Sequence, residues 1–225
     1  MVDTIPVFSR LFRGIEREDG IALMNEMGAM TRNVPAGGVV LREGTPKRNL
    51  GVLLDGCLSM FETDSEGHCP MIGLVQPQES FALMFSFAAV EQHPATVVAV
   101  KDSRILIIPV AKVLPPPGSP ITDVRRRFIQ NVMSEICETA RRLRARAFIL
   151  SQRSTAARLM TYLRMKMRAV RSKEFTIPFD RQGLADFLCV DRSALSAVFS
   201  RLAKKGTLSY RKNHIVLHGS FPDVD

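Results

Sequence analysis

The sequence predicts an α+β protein: a β-rich half, one long helix, and a basic helical half that ends in a hairpin. Three observations predict this order. Between residues 31 and 109, apolar runs of strand length alternate with turn residues. From Ile129 to Leu150, apolar residues step by fours and threes. Charge then divides the chain. Residues 1–140 carry 13 Lys and Arg against 16 Asp and Glu, and residues 141–225 carry 18 against 6, so the net +9 is the balance of −3 and +12.

The elements follow in order. Residues 5–30 read as short helices, with Ile21, Met24 and Gly28 at helical spacing and Met27 beside them. The runs VPAGGVVLREG, NLGVLLDGCLSMF, DSEGHCPMIGLV, HPATVVAV and SRILIIPV are punctuated by Gly37-Gly38, Gly44, Asp55-Gly56, Glu66-Gly67 and Asp102-Ser103. Short strands at this spacing suggest a β-barrel or β-sandwich. ESFALMFSFAAV, residues 79–90, reads as a short helix inserted between strands. LPPPGSP, residues 114–120, closes the half, because proline stops strands and helices alike. In the long helix, Ile129, Met133, Ile136, Ala140, Leu143, Ala147 and Leu150 form an a/d seam over three heptads. Such a seam suits a parallel helix pair in a homodimer, the alternative being a helix packed on its own domain.

SQRST, residues 151–155, marks a break, with Ser154 a candidate cap for a helix from Thr155 to about Val170. A hinge is expected there. FTIPF, residues 175–179, reads as a strand, and Asp180 as the cap of a helix with Leu184, Phe187 and Leu188 inward. After a turn of about three residues, 189–191, a second helix runs to Lys204, with Asp191 as its expected cap. Leu195, Val198, Phe199 and Leu202 form its core stripe at i, i+3, i+4 and i+7. Ser193, Ala197, Ser200 and Lys204 lie roughly opposite, with Ser196 on a flank and Arg192 in the first turn. The spacing is that of a helix-turn-helix. The DNA major groove, ~12 Å wide, admits a helix whose contact residues are small, and Arg can pair with guanine O6 and N7. Arg181 and Gln182 stand where phosphate contact is expected, and Lys204 extends the basic face. TLSYRKNHIVLHG supplies two strands, a wing with Arg211, Lys212, Asn213 and His214 at its tip.

IPFDRQGLADFLCVDRSALSAVFSRLAKKGTLSYRKNHIVLHG resembles the winged helix-turn-helix of the CRP/FNR family of bacterial transcription regulators, especially its branch from anaerobes. The resemblance covers nearly the whole chain. It implies a cyclic-nucleotide-binding-like β-barrel (jelly roll) over 1–118, a dimerisation helix over 119–150, and a winged helix-turn-helix over 151–225. It also implies that Arg192, Ser193, Ser196 and Ala197 read bases. Arg181, Gln182, Lys204, Arg211, Lys212 and Asn213 remain as phosphate contacts. Ala197 stands where the cyclic-AMP-binding branch has a second Arg, so a different half-site is expected.

That branch binds its nucleotide with a Gly-Glu pair and an Arg on the next strand. Glycine lets backbone N–H groups close on the phosphate, and Arg matches its charge. Here the positions read Gln78-Glu79-Ser80 and His93-Pro94-Ala95-Thr96. A buried Glu79 without a cation would repel a cyclic phosphate, so no cyclic nucleotide is expected. An iron–sulfur cluster needs clustered cysteines, and the first here is Cys57, with Cys69, Cys137 and Cys189 far apart. His68, Cys69 and His93 are the haem-ligand candidates, and haem is not expected either. The expectation is therefore no cofactor, no metal, and an unidentified small-molecule effector, the alternative being no ligand at all. Glu79, Phe81, Met84, Phe85, His93 and Thr96 are its candidate pocket, with Phe87 and Val97 adding apolar wall; alternatively the apolar members simply fill the barrel.

No Ser/His/Asp set, metal-ligand spacing or P-loop stands out, so no catalytic residues and no enzyme are expected. The scattered cysteines read as reduced thiols of a cytoplasmic protein, and no apolar run reaches membrane-span length. The expected partners are a second copy, double-stranded DNA with a pseudo-palindromic site, and RNA polymerase. The alternative reading is a ligand-binding or protein-interaction module with a non-functional helix-turn-helix. The +12 charge after residue 140 argues against it.

Overall fold

A computed structural model describes residues 2–218 other than 47, 70, 89 and 90. The chain divides into two compact units, one ending at Thr139 and the other starting at Ala140.

In the first unit a 3-10 turn at Arg10–Phe12 and helix α1 (Arg17–Glu26) precede strands β1 (Met30–Val34), β2 (Val39–Leu41), β3 (Asn49–Phe61), β4 (Met71–Val75), β5 (Ser80–Phe81) and β6 (Thr96–Pro109), with helix α2 (Leu83–Phe87) after β5. Within the described residues these strands form one antiparallel sheet in the order β1-β6-β3-β4, with β2 on β6 and β5 on β3. The long strands β3 and β6 pair from Asn49↔Pro109 to Phe61↔Thr96, and their register shifts between Leu53 and Leu58. On one side of the shift they carry β1 and β5, on the other β2 and β4. Two four-stranded halves thus share the same two strands, which is how a jelly roll is built. Gly56 sits in the shift at φ 108°, where a Cβ would come within 2.6 Å of Ser103 Cα. Only glycine fits there.

The run RILIIP is apolar on consecutive positions because both faces of β6 are covered. Ile105 joins Val34, Leu53, Leu58, Val75, Phe81, Val97 and Ala99 in one core. Its neighbours Leu106 and Ile108 join Leu50 and Val52 in another, against Leu23 and Met24 of α1, Met27 just past its end, and Phe128 and Val132 of the next helix. Each such side chain contributes roughly 1.5–3 kcal/mol by burial.

Helix α3 (Asp123–Leu150) begins earlier than the seam alone suggests. Phe128 and Val132 form its buried face in the first unit, flanked by Arg125, whose guanidinium reaches Glu26 at 2.9 Å. Of the seam residues, Ile129 and Ile136 lean against that core. Met133 (61%), Ala140, Leu143 (51%) and Ala147 are exposed, as is Phe148, and Leu150 is half-buried.

Two expectations for this unit change. The helix expected over 79–90 is only Leu83–Phe87, preceded by strand β5; residues 89 and 90 lie outside the described residues. Ala82 takes a left-handed φ of 63°, which prevents the helix from starting sooner. Glu79 is exposed rather than buried, because Gln78 turns the chain at φ 75° and the carboxylate accepts from the Gln76 N–H at 2.9 Å.

The second unit holds the end of α3, helix α4 (Thr155–Val170), strand β7 (Glu174–Thr176), helices α5 (Arg181–Leu188) and α6 (Arg192–Lys204), and strands β8 (Leu208–Arg211) and β9 (His214–Leu217), in a sheet ordered β7-β9-β8. Its core joins Ile149, Leu159, Leu163, Leu184, Leu188, Leu195, Val198, Phe199 and Ile215. Ser154 caps α4, its Oγ accepting from Ala157 N–H at 3.2 Å. Strand β7 stops at Thr176, two residues before Pro178, which has no N–H to offer a ladder.

The expected hinge at 151–155 is bonded along its length. Ser151 and Gln152 side chains both donate to the Phe148 carbonyl. Gln152 C=O accepts from Arg158 Nε at 3.0 Å. Ile149 is buried and Arg146 lies 5.4 Å from the Phe187 ring centroid, so the last turns of α3 belong to the second unit.

Candidate nucleic-acid interface

Helix α5 starts on a side-chain cap: Asp180 accepts from Gly183 N–H at 2.7 Å. It ends where Cys189 turns left-handed at φ 51°. Arg158 of α4 holds that end, donating to the Leu188 carbonyl at 3.1 Å and the Cys189 carbonyl at 3.0 Å. The turn is therefore fastened from behind, and it aims α6.

Asp191 precedes α6 but makes no side-chain cap bond. The cap expected there is absent; at an exposed terminus water or a ligand can satisfy the first N–H groups. Leu195, Val198 and Phe199 are buried, and Leu202 is half-buried. Arg192, Ser193, Ala197, Ser200 and Lys204 are exposed, and Ser196 is half-buried with its hydroxyl on the Arg192 carbonyl at 2.9 Å. That bond uses the Ser196 proton and leaves oxygen lone pairs for a donor. The 100° helical step thus divides α6 into a packed face and a low, polar face.

Around it, Arg181 lies with Cζ 3.6 Å from the Phe199 ring centroid and 5.1 Å from that of Tyr210. Burial against these rings pulls the Arg181 guanidinium below its ordinary value; the Tyr210 hydroxyl opposes the shift and the charge of Arg192 adds to it. It stays protonated at neutral pH. Gln182 donates to Asp186 at 2.8 Å. At the hairpin tip Lys212 is left-handed at φ 55°, as the first residue of a two-residue turn commonly is. Asn213 binds inward instead of outward: its side-chain amide donates to Ile177 C=O at 3.1 Å while its main-chain carbonyl accepts from Ile177 N–H. Arg211 and Lys212 are exposed. A cleft of about 450 Å³ between Pro178, Phe179, Asp180, Arg181, Lys212 and Asn213 opens at this end of the unit. The ring pair beneath Arg181 was not evident from sequence; the signal available was an aromatic residue on the core stripe of α6 and another in the first hairpin strand.

The candidate effector positions do not converge in the same way. Phe81 is buried in the sheet core over Gly51, where an added Cβ would stand 2.0 Å from its ring. Met84 and Phe85 are half-buried, and Phe87 is 37% exposed. His93 is buried, and its backbone pairs with Thr45 and Gly44. Thr96 Oγ1 accepts from the Glu43 N–H at 3.0 Å. The four cysteines are free thiols, three of them exposed. Among the described residues no three His, Cys, Asp or Glu side chains group as metal ligands, and no helix is long and apolar enough to cross a membrane.

Comparison with known proteins agrees with both units. Residues 31–114 match the cyclic nucleotide-binding domain, and residues 157–219 match the Crp-like helix-turn-helix domain. The chain is 22% identical over 191 residues to the transcriptional activator protein anr of Pseudomonas aeruginosa, covering 83% of this chain and 75% of that one. It is 22% identical over 182 residues to the transcriptional activator protein FnrA of Stutzerimonas stutzeri, covering 79% and 72%. A solved structure with a similar fold is that of the c-di-GMP responsive global regulator CLP of Xanthomonas campestris, with a TM-score of 0.55, 16% identity, and 85% and 95% coverage. With a cyclic-nucleotide-binding-type sheet domain, a connecting helix and a DNA-binding helix-turn-helix of the Crp type, this chain belongs to the CRP/FNR family of transcription regulators.

Proposed function

We propose that the protein is a homodimeric, sequence-specific regulator that reads a pseudo-palindromic DNA site, under the control of an effector other than a cyclic nucleotide. The observation that carries this is the division of α6. Its inner face is packed, while Arg192, Ser193, Ala197 and half-buried Ser196 remain on a face low enough to enter a major groove. Arg192 is the guanine contact. Arg181, Gln182, Lys204, Arg211 and Lys212 supply phosphate contacts, and Asn213 shapes the hairpin tip that presents Arg211 and Lys212. The exposed apolar stretch of α3, with Met133, Ala140, Leu143 and Ala147, supports pairing of two copies. Two recognition helices would then meet successive major grooves about one helical turn apart.

The reading that the effector is not a cyclic nucleotide is supported by position 93, a buried histidine where the resemblance implies an arginine. The repulsion expected of a buried Glu79 does not contribute, because its carboxylate is exposed and accepts from the Gln76 N–H. RNA polymerase is the partner expected of an activator, as the relatives named above are. Selection of bound fragments from genomic DNA tests the proposal. A two-fold symmetric motif with half-sites about 10 base pairs apart is the expected result. Recovery of fragments with no common motif would refute it.

A further inference from the structure

Three elements meet at Arg181. The arginine is the first residue of α5; Phe199 lies on the buried face of α6; Tyr210 lies on β8. The two rings meet edge-to-face, with centroids 5.0 Å apart and planes at 66°. The guanidinium covers Phe199 at 3.6 Å and reaches Tyr210 at 5.1 Å, both within cation–π range. Phe199 is fully buried, so its ring cannot move without opening the core. Tyr210 is 37% exposed and depends on its neighbours for its place.

The hairpin needs such a fastening. Among the described residues its sheet runs β7-β9-β8, so β9 is paired on both sides and β8 on one. Asn213 ties the tip to Ile177 on the β7 side. On the β8 side, buried Leu208 stands at the base of the hairpin, and Tyr210 is the residue next to the basic tip. A lysine would not replace Arg181 here, because a planar guanidinium stacks on a ring face while an ammonium is a hydrated point charge.

We propose that Arg181 is a positioning residue whose cation, seated on Phe199 and Tyr210, pins β8 and the Arg211–Lys212 tip to α5 and α6, so that hairpin and base-reading helix meet DNA as one rigid surface. The proposal rests on the DNA-binding reading above for its consequence, though not for the clamp itself.

The test uses the full chain, a random-sequence 30-base-pair duplex, and the variants Tyr210→Leu, Tyr210→Phe, Arg181→Lys and Lys212→Gly. Without DNA, backbone amide exchange across the hairpin should be about 5- to 20-fold faster in Tyr210→Leu and Arg181→Lys, and as in wild type in Tyr210→Phe. With the duplex, Tyr210→Leu should weaken binding at least about 5-fold, and adding Lys212→Gly to it should cost less than about 2-fold more, although Lys212→Gly alone costs several-fold. Wild-type exchange in Tyr210→Leu, equal damage from Tyr210→Phe, or additive losses with Lys212→Gly would overturn the clamp. If wild type does not bind the duplex, the DNA-binding reading falls, and amide exchange still decides the clamp.

Discussion

The two units use their polar residues in opposite ways. In the second, exposed side chains collect on one face of α6 and at the hairpin tip. In the first, three of the candidate effector positions make contacts within the fold itself: Phe81 fills the space over Gly51, Thr96 accepts from the Glu43 N–H, and Glu79 accepts from the Gln76 N–H. The contrast teaches that a resemblance locates positions, while function depends on whether the side chains there are left free. A reading surface needs unspent groups in a row, and the second unit has them.

The contrast can be broken first at Phe81. If it is core, Phe81→Ala should destabilise the first unit by about 3–5 kcal/mol in urea unfolding, as for other buried aromatics. A loss below about 1 kcal/mol would return it to the candidate pocket. Next comes the exposed part of α3. Leu143→Glu places two like charges where two copies would meet, and sedimentation at one concentration should show a dimer for wild type and a monomer for the variant. Unchanged sedimentation would mean that the seam residues serve another contact.

Smaller effects separate the two aspartates that precede α5 and α6. Asp180→Ala should cost about 1 kcal/mol, since a cap bond is lost, whereas Asp191→Ala should change stability by less than about 0.5 kcal/mol. Equal costs would show that Asp191 caps in solution. A last effect is alkaline. Burial raises the Tyr162 hydroxyl to about 12. The unfolded chain ionises near the ordinary value of about 10, so this group's contribution is intact below pH 10 and is lost as pH rises toward 12. Tyr162→Phe should flatten the fall in stability over that window; an unchanged slope would mean the ring is more hydrated than its burial indicates.

Much of this was legible in the sequence. The α4, α5 and α6 boundaries follow from Ser154, Asp180 and the apolar stripes, because amphipathic periodicity and caps are local. The double-sided burial of β6 could be suspected from RILIIP. What was not legible depends on single backbone angles. Gln78 at φ 75° turns Glu79 outward, and Ala82 at φ 63° delays α2, and neither residue type announces a left-handed conformation. The same holds for position 181: its charge was evident, while its seat on Phe199 and Tyr210 required tertiary structure. The break between the units shows this too. SQRST looks like a linker by composition, yet Arg158 and the Phe148 carbonyl hold it, and the boundary between compact units falls inside α3.

The central claim is that the α6 face reads bases. Its most direct test is the affinity of wild type and Arg192→Ala for the selected site and for a random duplex, measured across a salt series. The account predicts a loss of about 1–3 kcal/mol on the selected site, relaxed preference at one base pair, and little change on random DNA. An equal loss on both duplexes, with the salt slope reduced by about 1, would make Arg192 a phosphate contact and contradict the assignment.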